Sequence, residues 1–400
     1  MNYILFDDPR IRPNLLPFTF TRPVSHLRVG ILTIAEKWQR WLDSPVSCLT
    51  QPYLQKKFPL VEAEENVFIN GAVCPNAALV RAIGQLGAGG QLVRKNVLVA
   101  ARTRGKEARP ANFYPPTADQ ATTAPADDPA AHFTVIANPW DIFTENGPQI
   151  RADFALITRD RTSHPVSDPH TVVYNPADVF LEAGVTVKAA VLNAERGPVY
   201  LGKNAQVMEG AVVRGPFAMG EDSIINVGGR MIGDTTIGPS CKVGGEVSNS
   251  VILGYSSKVH DGFLGNSVIG EWCNLGADTN TSNMKSDYGN AKLWNYAENR
   301  YRDTGRLFCG TMMGDHSKAS INTMFNTATV IGVNVNLFGP GFPPKFVPSF
   351  SWGGGDQWET YRLDKALEVA RRAMERRNVP LEMVDREILA AVYELEKRAL

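Results

Sequence analysis

From Leu201 to Val243 an apolar residue returns at every sixth position: Leu201, Val207, Val213, Met219, Ile225, Met231, Ile237 and Val243. The same beat runs through Met313, Ala319, Phe325, Ile331 and Leu337. An amphipathic helix would repeat its apolar face at about 3.6 residues, and a half-buried strand would alternate at about 2. Neither fits a period of six. A parallel β-helix of hexapeptides does, because each short strand sends one side chain into a shared prism-shaped core. The pattern predicts a left-handed parallel β-helix over residues 176–350.

The beat shifts phase near Asn249 and is read onward through Val251, Phe263, Ile269 and Leu275. Over residues 279–306 it gives way to an Asn- and Tyr-rich stretch, TNTSNMKSDYGNAKLWNYAENRYRDTGR. Because the beat returns afterwards, this stretch predicts a loop thrown out of one coil, and long loops of this kind commonly carry function.

The first part of the chain has a different texture. YILF at residues 3–6 reads as a buried strand, Ile31–Leu42 as a helix, and Val67–Asn70 and Asn96–Ala101 as further strands. Ala77–Leu86 reads as a helix ended by the Gly87–Gly90 stretch. Alternating strands and helices predict an α/β domain over residues 1–175, with an Ala-, Pro- and Thr-rich exposed insert at 104–128. After Phe350 the pattern becomes helical again, predicting a tail over 351–400 with helices at Tyr361–Arg377 and Leu381–Leu400. The basic residues there read as the solvated face of packed helices.

Lysine plus arginine equals aspartate plus glutamate at 41 each, so there is no basic stripe of the kind nucleic acids require. The five cysteines lack metal-ligand spacing and read as reduced thiols of a cytoplasmic protein. Asp7, Asp8 and Arg10 interrupt the apolar stretch a signal peptide needs. No apolar run approaches the roughly 20 residues that span a bilayer. These features predict a soluble chain with no membrane and no nucleic-acid partner.

Residues 254–283, GYSSKVHDGFLGNSVIGEWCNLGADTNTSN, carry a more specific signal. They resemble the acetyltransferase half of the GlmU family, which joins glucosamine-1-phosphate acetyltransferase to N-acetylglucosamine-1-phosphate uridylyltransferase. The matching elements are His260, Leu264-Gly265, Ile269-Gly270, Asn274-Leu275-Gly276-Ala277 and Asn283. NLLPFTFTRPVSHLRVGILTIAEKW near the start and NPWDIFTENG in the middle resemble a divergent branch of that family found in Bacteroidetes.

Acetyl transfer from a thioester to an amine needs a base near neutral pKa, donors for the developing oxyanion and a slot for the pantetheine arm. His260, in a β-helix turn beside the excursion, suits the base; His316 is its rival within the coils. His26, His132, His164 and His170 lie outside them. Glu246 either orients the His260 imidazole, as a family glutamate does, or is a solvated turn carboxylate. The resemblance implies that Asn274 contacts the sugar phosphate, that Ala277 offers backbone contacts to acetyl-CoA and that Asn283 sits at the acyl acceptor. Asn274 equally suits a corner residue, since Asn tolerates the left-handed conformation. The chain departs from the family at Phe263, in the substrate site, where a tyrosine is usual, and at Ser248, where a phosphate-binding lysine is expected. Lys285 and Lys292 either replace that cation or solvate the loop. Ser320 and Gly339 fall along the expected coenzyme A slot.

A sugar nucleotidyltransferase normally follows its first strand with a Gly-rich loop ending in Thr-Arg. The glycines are missing here, but Thr21-Arg22 and Arg28 remain, with Lys37 behind them. Arg22, Arg28 and Lys37 are the candidate triphosphate contacts. Asp7, Asp8, Asp141 and Asp153 are candidate ligands for Mg²⁺, or else members of salt bridges in a degenerate domain. The resemblance thus implies acetyl transfer from acetyl-CoA to an amino-sugar phosphate of the glucosamine 1-phosphate class. It also implies nucleotidyl transfer from UTP or another nucleoside triphosphate, feeding UDP-GlcNAc-type envelope precursors, in a homotrimer with coenzyme A between neighbours. The alternatives are a nucleotidyltransferase whose β-helix only trimerises and a non-catalytic ligand-binding scaffold.

Overall fold

The computed structural model describes residues 1–94, 96–105 and 133–399, so most of the segment expected as an insert lies outside the described residues. The chain forms two compact units. One holds Met1–Leu15, Arg22–Leu27 and Leu32–Asn138; the other holds Leu16–Thr21, Arg28–Ile31 and Pro139–Leu400.

The first unit is built on a five-stranded sheet of order β2-β1-β3-β5-β4. Its strands are β1 (Asn2–Phe6), β2 (Val46–Leu49), β3 (Glu65–Asn70), β4 (Gln91–Arg94) and β5 (Val97–Arg104). β1 pairs in parallel with β2 and β3, and β5 runs antiparallel to β3. Ile4, Phe6, Phe68, Leu98 and Ala101 form one side of its core. Helix α1 (Ile34–Leu42) starts at a capping box, in which Thr33 accepts from the Glu36 amide while Glu36 accepts from the Thr33 amide. That start falls three residues inside the expected Ile31–Leu42 helix. Trp38 on α1 is fully buried and donates its indole N–H to the Val73 carbonyl at 2.8 Å. Helix α2 (Ala77–Gly84) is capped by Asn76.

The second unit is a parallel β-solenoid preceded by helices α3 (Pro139–Thr144) and α4 (Asn146–Ile157). Face A is a nine-stranded sheet running from Val179–Leu181 to Phe346–Val347. Face B has ten strands, beginning at Thr186–Val187 and ending in an antiparallel hairpin at Ser351–Thr360. Face C has six strands, from Val172–Tyr174 to Phe263–Gly265, and is followed by the pair Asn280–Thr281 and Met324–Phe325. All eight residues of the early beat and all five of the late one lie in the single continuous core. Each contributes one inward side chain, so burial is spread evenly along the axis.

Between the two clean stretches the inward set is Val247, Ile252, Leu264, Ile269 and Leu275. The onward reading through Val251 and Phe263 is therefore one residue out of register. The step from Val243 to Val247 is four residues and that from Val247 to Ile252 five, instead of six, and a shift of one residue turns a side chain to the opposite face of a strand. Phe263 is half-buried on the outside of face C while Leu264 points inward.

Tight corners need close backbone approach. At the corner from face A to face B a Cβ on Gly238 would collide with the Leu253 carbonyl of the next coil. Buried serines staple successive coils there: Ser256 donates to the Gly270 carbonyl at 2.8 Å and accepts from the Cys273 amide at 2.8 Å. Ser223 and Ser317 do the same for Gly238 with Cys241 and for Gly332 with Val335. These contacts satisfy corner groups that the ladders leave unpaired.

The excursion leaves after Thr281, which still pairs with Phe325, and returns by Met312. It holds a hairpin, Lys292–Asn295 with Arg300–Asp303. Trp294 stacks on Phe346 of face A with ring centroids 4.4 Å apart, which seats the hairpin on that face. Helices α5 (Leu363–Glu375) and α6 (Met383–Ala399) form the tail. Arg377 donates to the Ser240 carbonyl and the Ser257 hydroxyl, each at 3.1 Å, and Glu396 accepts from the Ser349 amide at 3.0 Å. Among the described residues no helix is long and apolar enough to cross a membrane.

Burial, opposed by the Ser349 bonds, raises the Glu396 pKa above its ordinary 4.5. A raised carboxyl pKa favours the folded state while the group is protonated and loses that contribution as pH rises through the folded value. The expected outcome is that Glu396→Gln raises the thermal midpoint at pH 8 and that this gain disappears below about pH 4.5, where Glu396 is protonated in both the folded and the unfolded chain. Calorimetric scans of both proteins across that range check it.

Candidate active sites

Lys258 closes a face B strand and Phe263 opens a face C strand, so Val259–Gly262 form the turn between them. Each of the turn's four carbonyls has a donor. The Asn226 side-chain Nδ2 reaches Val259 O at 3.4 Å, and Lys258 Nζ reaches His260 O at 3.1 Å. The Asp278 amide reaches Asp261 O at 3.0 Å, and the Glu246 amide reaches Gly262 O at 3.3 Å. Two glycines of the preceding coil let the turn settle. A Cβ on Gly244 would collide with Val259 O, and one on Gly245 would lie 2.8 Å from Lys258 Nζ and 2.9 Å from Asp261 Cα. The turn's backbone is thus held from the coils on both sides, while the His260 side chain is exposed to solvent.

Several of the candidate residues converge around this turn. Glu246 aligns with Phe263 on face C, but its carboxylate lies 3.4 Å from Arg230 Nε, and among the described residues no hydrogen bond joins it to the imidazole. Asn274 is exposed one coil beyond Ser257 on face B. Ala277 occupies the equivalent corner of the next coil and accepts from the Asn322 amide at 2.8 Å. Asn283 donates to Asn266 Oδ1 at 2.8 Å, and a Cβ on Gly265 would meet both the Phe263 ring and the Asn283 amide nitrogen. Phe263, Asn283 and Asn266 therefore crowd around Gly265, which aligns with Ser248 of the coil before. Ser320 and the exposed Gly339 lie on later coils. Lys285 pairs with Asp287 at 2.9 Å, and the Lys292 carbonyl accepts from Lys345 at 3.3 Å. His316 lies at the other corner, from face A to face B, buried at φ 61° and stacked on Trp272 at 6.2 Å. His132 lies outside the described residues.

Sequence reasoning missed Lys258 and Asn266. Both fall in the phase-shifted coils, where the inward positions are hidden until the four- and five-residue steps are known. A lysine in register with Val243 would have been the signal.

In the first unit the chain leaves β1 for β2 on one side and β3 on the other, so the carboxyl end of β1 is a topological switch point, where α/β sheets open a crevice. Asp7 and Asp8 follow β1 directly. Asp7 accepts from the Val24 amide at 2.8 Å and the Thr50 hydroxyl at 2.6 Å, and lies 3.2 Å from Arg12 Nε. Burial raises its pKa against the pull of those partners. Asp8 accepts from Asn70 at 3.1 Å and from the Arg10 amide at 2.9 Å. Arg22 is buried, and Lys37 is buried on α1. Burial, helped by the charge of Arg22, pushes His26 down to about 4.

In the second unit Arg28 spends donors on the carbonyls of Leu253 and Ile31, and the Thr21 hydroxyl donates to Asp315 at 2.6 Å. Asp153 accepts from the Ile31 amide at 2.8 Å, and Asp141 lies in the first turn of α3. Among the described residues no three His, Cys, Asp or Glu side chains gather as a metal-holding group. The oxygens of Asp7 and Asp8 are already engaged by protein donors. This donor set does not fit a resident Mg²⁺.

Residues 3–162 match the family described as sugar nucleotidyl transferase. A stretch of 89 residues is 34% identical to the bifunctional protein GlmU of Methanocaldococcus jannaschii, covering 22% of this chain and 21% of that protein. The same protein of Methanococcus aeolicus is 30% identical over 89 residues, with the same coverage. The chain thus resembles sugar nucleotidyl transferases over residues 3–162 and GlmU proteins over a separate match of 89 residues. The matched stretch spans about a fifth of the length of those curated relatives. Among solved structures, an Arabidopsis UDP-N-acetylglucosamine acyltransferase aligns at TM-score 0.25 and 16% identity, covering 53% of this chain and 76% of its own. A hexapeptide transferase family protein from Anaplasma phagocytophilum aligns at TM-score 0.16 and 12% identity, covering 57% of this chain and 93% of its own. The solenoid itself is established by the strand pairing described above.

Gly228 and Gly245 both have positive φ, 68° and 64°, but a Cβ on Gly228 meets open space. Gly228→Ala should therefore lose only the left-handed backbone cost of about 1–2 kcal/mol. Gly245→Ala must also displace the His260 turn. In urea titrations the midpoint should fall clearly further for Gly245→Ala; equal shifts would show that the turn does not depend on that close approach.

Proposed function

We propose that this GlmU-like chain is a two-activity sugar-phosphate transferase. At the His260 turn it transfers the acetyl group of acetyl-CoA to the amine of an amino-sugar phosphate of the glucosamine 1-phosphate class. In its N-terminal part it transfers a nucleotidyl group from UTP or another nucleoside triphosphate to the sugar 1-phosphate. The product would feed UDP-GlcNAc-type precursor synthesis in the cytoplasm.

The observation that carries the reading is an exposed imidazole on a turn whose every carbonyl is held. Rigid placement with an accessible ring is what general-base catalysis asks for. The neutral sugar amine attacks the thioester carbonyl, forming the C–N bond and opening the C=O to an oxyanion. His260 takes the proton from the attacking nitrogen. Collapse of the intermediate breaks the C–S bond, and the imidazolium returns its proton to the departing thiolate. Asn274 would hold the sugar phosphate, Phe263 and Asn283 would flank the acceptor, and Ala277, Ser320 and Gly339 would line the coenzyme A slot. That slot would lie between neighbouring copies in a homotrimer.

For nucleotidyl transfer, Arg22 is the leading phosphate contact, with Lys37 supporting it. A divalent ion would arrive on the triphosphate, as part of that substrate. One observation favours a second reading, in which the solenoid only assembles the protein: the Glu246 carboxylate pairs with Arg230 instead of orienting His260.

A pair of variants separates these readings. His260→Ala should reduce acetyl transfer about 10²–10⁴-fold and leave pyrophosphate release intact; undiminished transfer would overturn His260 as the base, and native protein that releases pyrophosphate but no thiol would support the assembly-only reading. Arg22→Ala should do the reverse, lowering kcat/KM for the triphosphate at least about tenfold, the loss of one charge-assisted contact. Thiol release and pyrophosphate release, assayed on the same preparations, read both.

A further inference from the structure

Lys258 stands at an inward register position of face B, aligned with Val243 and one coil before Leu275. Its neighbours in that column are apolar core residues, and the lysine itself is 2% exposed. Burying an ammonium is costly, and an apolar side chain of the same length would fill the column more cheaply. The cation is directed instead to the corner, where Nζ donates to Gly244 O at 3.0 Å and to His260 O at 3.1 Å. Those two carbonyls belong to consecutive coils, so one ammonium ties the His260 main chain to the coil beneath it. Of the four bonds that hold the turn's carbonyls, this is the charge-assisted one, and charge-assisted bonds are roughly twice as strong as neutral ones.

From this geometry we infer that Lys258 is the positioning residue of the acetyl-transfer site: it fixes the backbone from which the imidazole projects and touches no reacting atom. The inference rests on the function proposed above. A misplacement of about 1 Å at a reacting group can cost on the order of 10²-fold in rate. Burial lowers the Lys258 pKa to about 8, with Asp261 and Glu246 favouring the charged form and Arg230 opposing it. The ammonium is thus predominantly protonated at neutral pH.

The test compares Lys258→Met, which keeps an unbranched stem one atom shorter and suits the apolar column, with Lys258→Gln, which is polar but stops short of both carbonyls, and with Lys258→Arg, which keeps a cation. In protein that keeps its circular dichroism spectrum, Met or Gln should lower kcat for acetyl transfer at least tenfold. KM for acetyl-CoA and for the acceptor should change less than threefold, and Arg should recover part of the loss. The rate at which diethyl pyrocarbonate modifies His260, followed by peptide mass spectrometry, should also change in the Met and Gln variants. Native kcat together with a native modification rate in either folded variant overturns the positioning role, even where His260→Ala is inactive. If His260→Ala keeps full acetyl transfer, the proposed role of His260 as the base fails. The modification rate alone then decides whether Lys258 sets the turn: a changed rate supports it and a native rate overturns it.

Discussion

Everything in the solenoid follows from one registration constraint: each strand stacks its inward side chains directly over their counterparts one coil below. Leu201 lies over Leu181 and beneath Met219, and Met219 lies beneath Ile237. A slip of one residue would turn such a side chain outward, so the columns resist shear along the whole axis. The corners then have to be narrow, which explains why glycines recur where a Cβ would strike the next coil's carbonyl. It also explains the serine staples, since a corner buried between two coils has polar groups that no strand partner can satisfy. The steps from Val243 to Val247 and from Val247 to Ile252, four and five residues, interrupt the six-residue spacing that runs from Leu201. The residues after them include the His260 turn.

The architecture was largely legible because its periodicity is long, regular and unlike that of a helix or a plain strand. The α/β character of the first unit and the two tail helices were visible through apolar spacing and caps, with ends misplaced by a few residues. The hairpin at Ser351–Thr360 was hidden by a glycine run that carries no alternation. The column positions around the candidate site were harder, for a physical reason. Val251 and Phe263 fit a six-residue count, but the count itself changes there, and only strand pairing shows that Ile252 and Leu264 take the inward places. The same displacement concealed Lys258, which a count from Val251 leaves outside the column. Asn266 was invisible for another reason: its amide meets Asn283 across 17 residues, a contact made by closing a coil.

The first unit shows a different limit of sequence reading. Asp7 and Asp8 sit where a parallel sheet switches direction, the place where α/β folds bind ligands. Position alone cannot distinguish a ligand-binding carboxylate from one that closes the loops around it. The bonds do distinguish them: Val24, Thr50 and Arg12 converge on Asp7, and Asn70 and the Arg10 amide converge on Asp8. Carboxylates so engaged organise the strand ends. In the proposed nucleotidyl transfer, phosphate recognition without a glycine loop would fall to cationic side chains, since planar guanidinium groups match phosphate oxygens in pairs.

Two histidines two coils apart show how the same fold gives a ring opposite surroundings. His316 occupies the left-handed corner position after a face A strand, where the backbone conformation costs about 1–2 kcal/mol for a residue with a Cβ. Its ring is buried in line with Trp272, which itself stacks on Tyr255 at 4.2 Å, so three successive corners carry aromatic rings in one stack. Packing of this kind offsets the corner strain and immobilises the ring against any reaction partner. His260 lies at the next corner around the prism, in a turn whose carbonyls are tied down while its ring is left in solvent. A catalytic base needs a fixed backbone and a reachable nitrogen together, and only the second histidine has both. The fold supplies many corners; what separates a scaffold corner from a reactive one is whether the neighbouring coils hold the side chain or only the main chain beneath it.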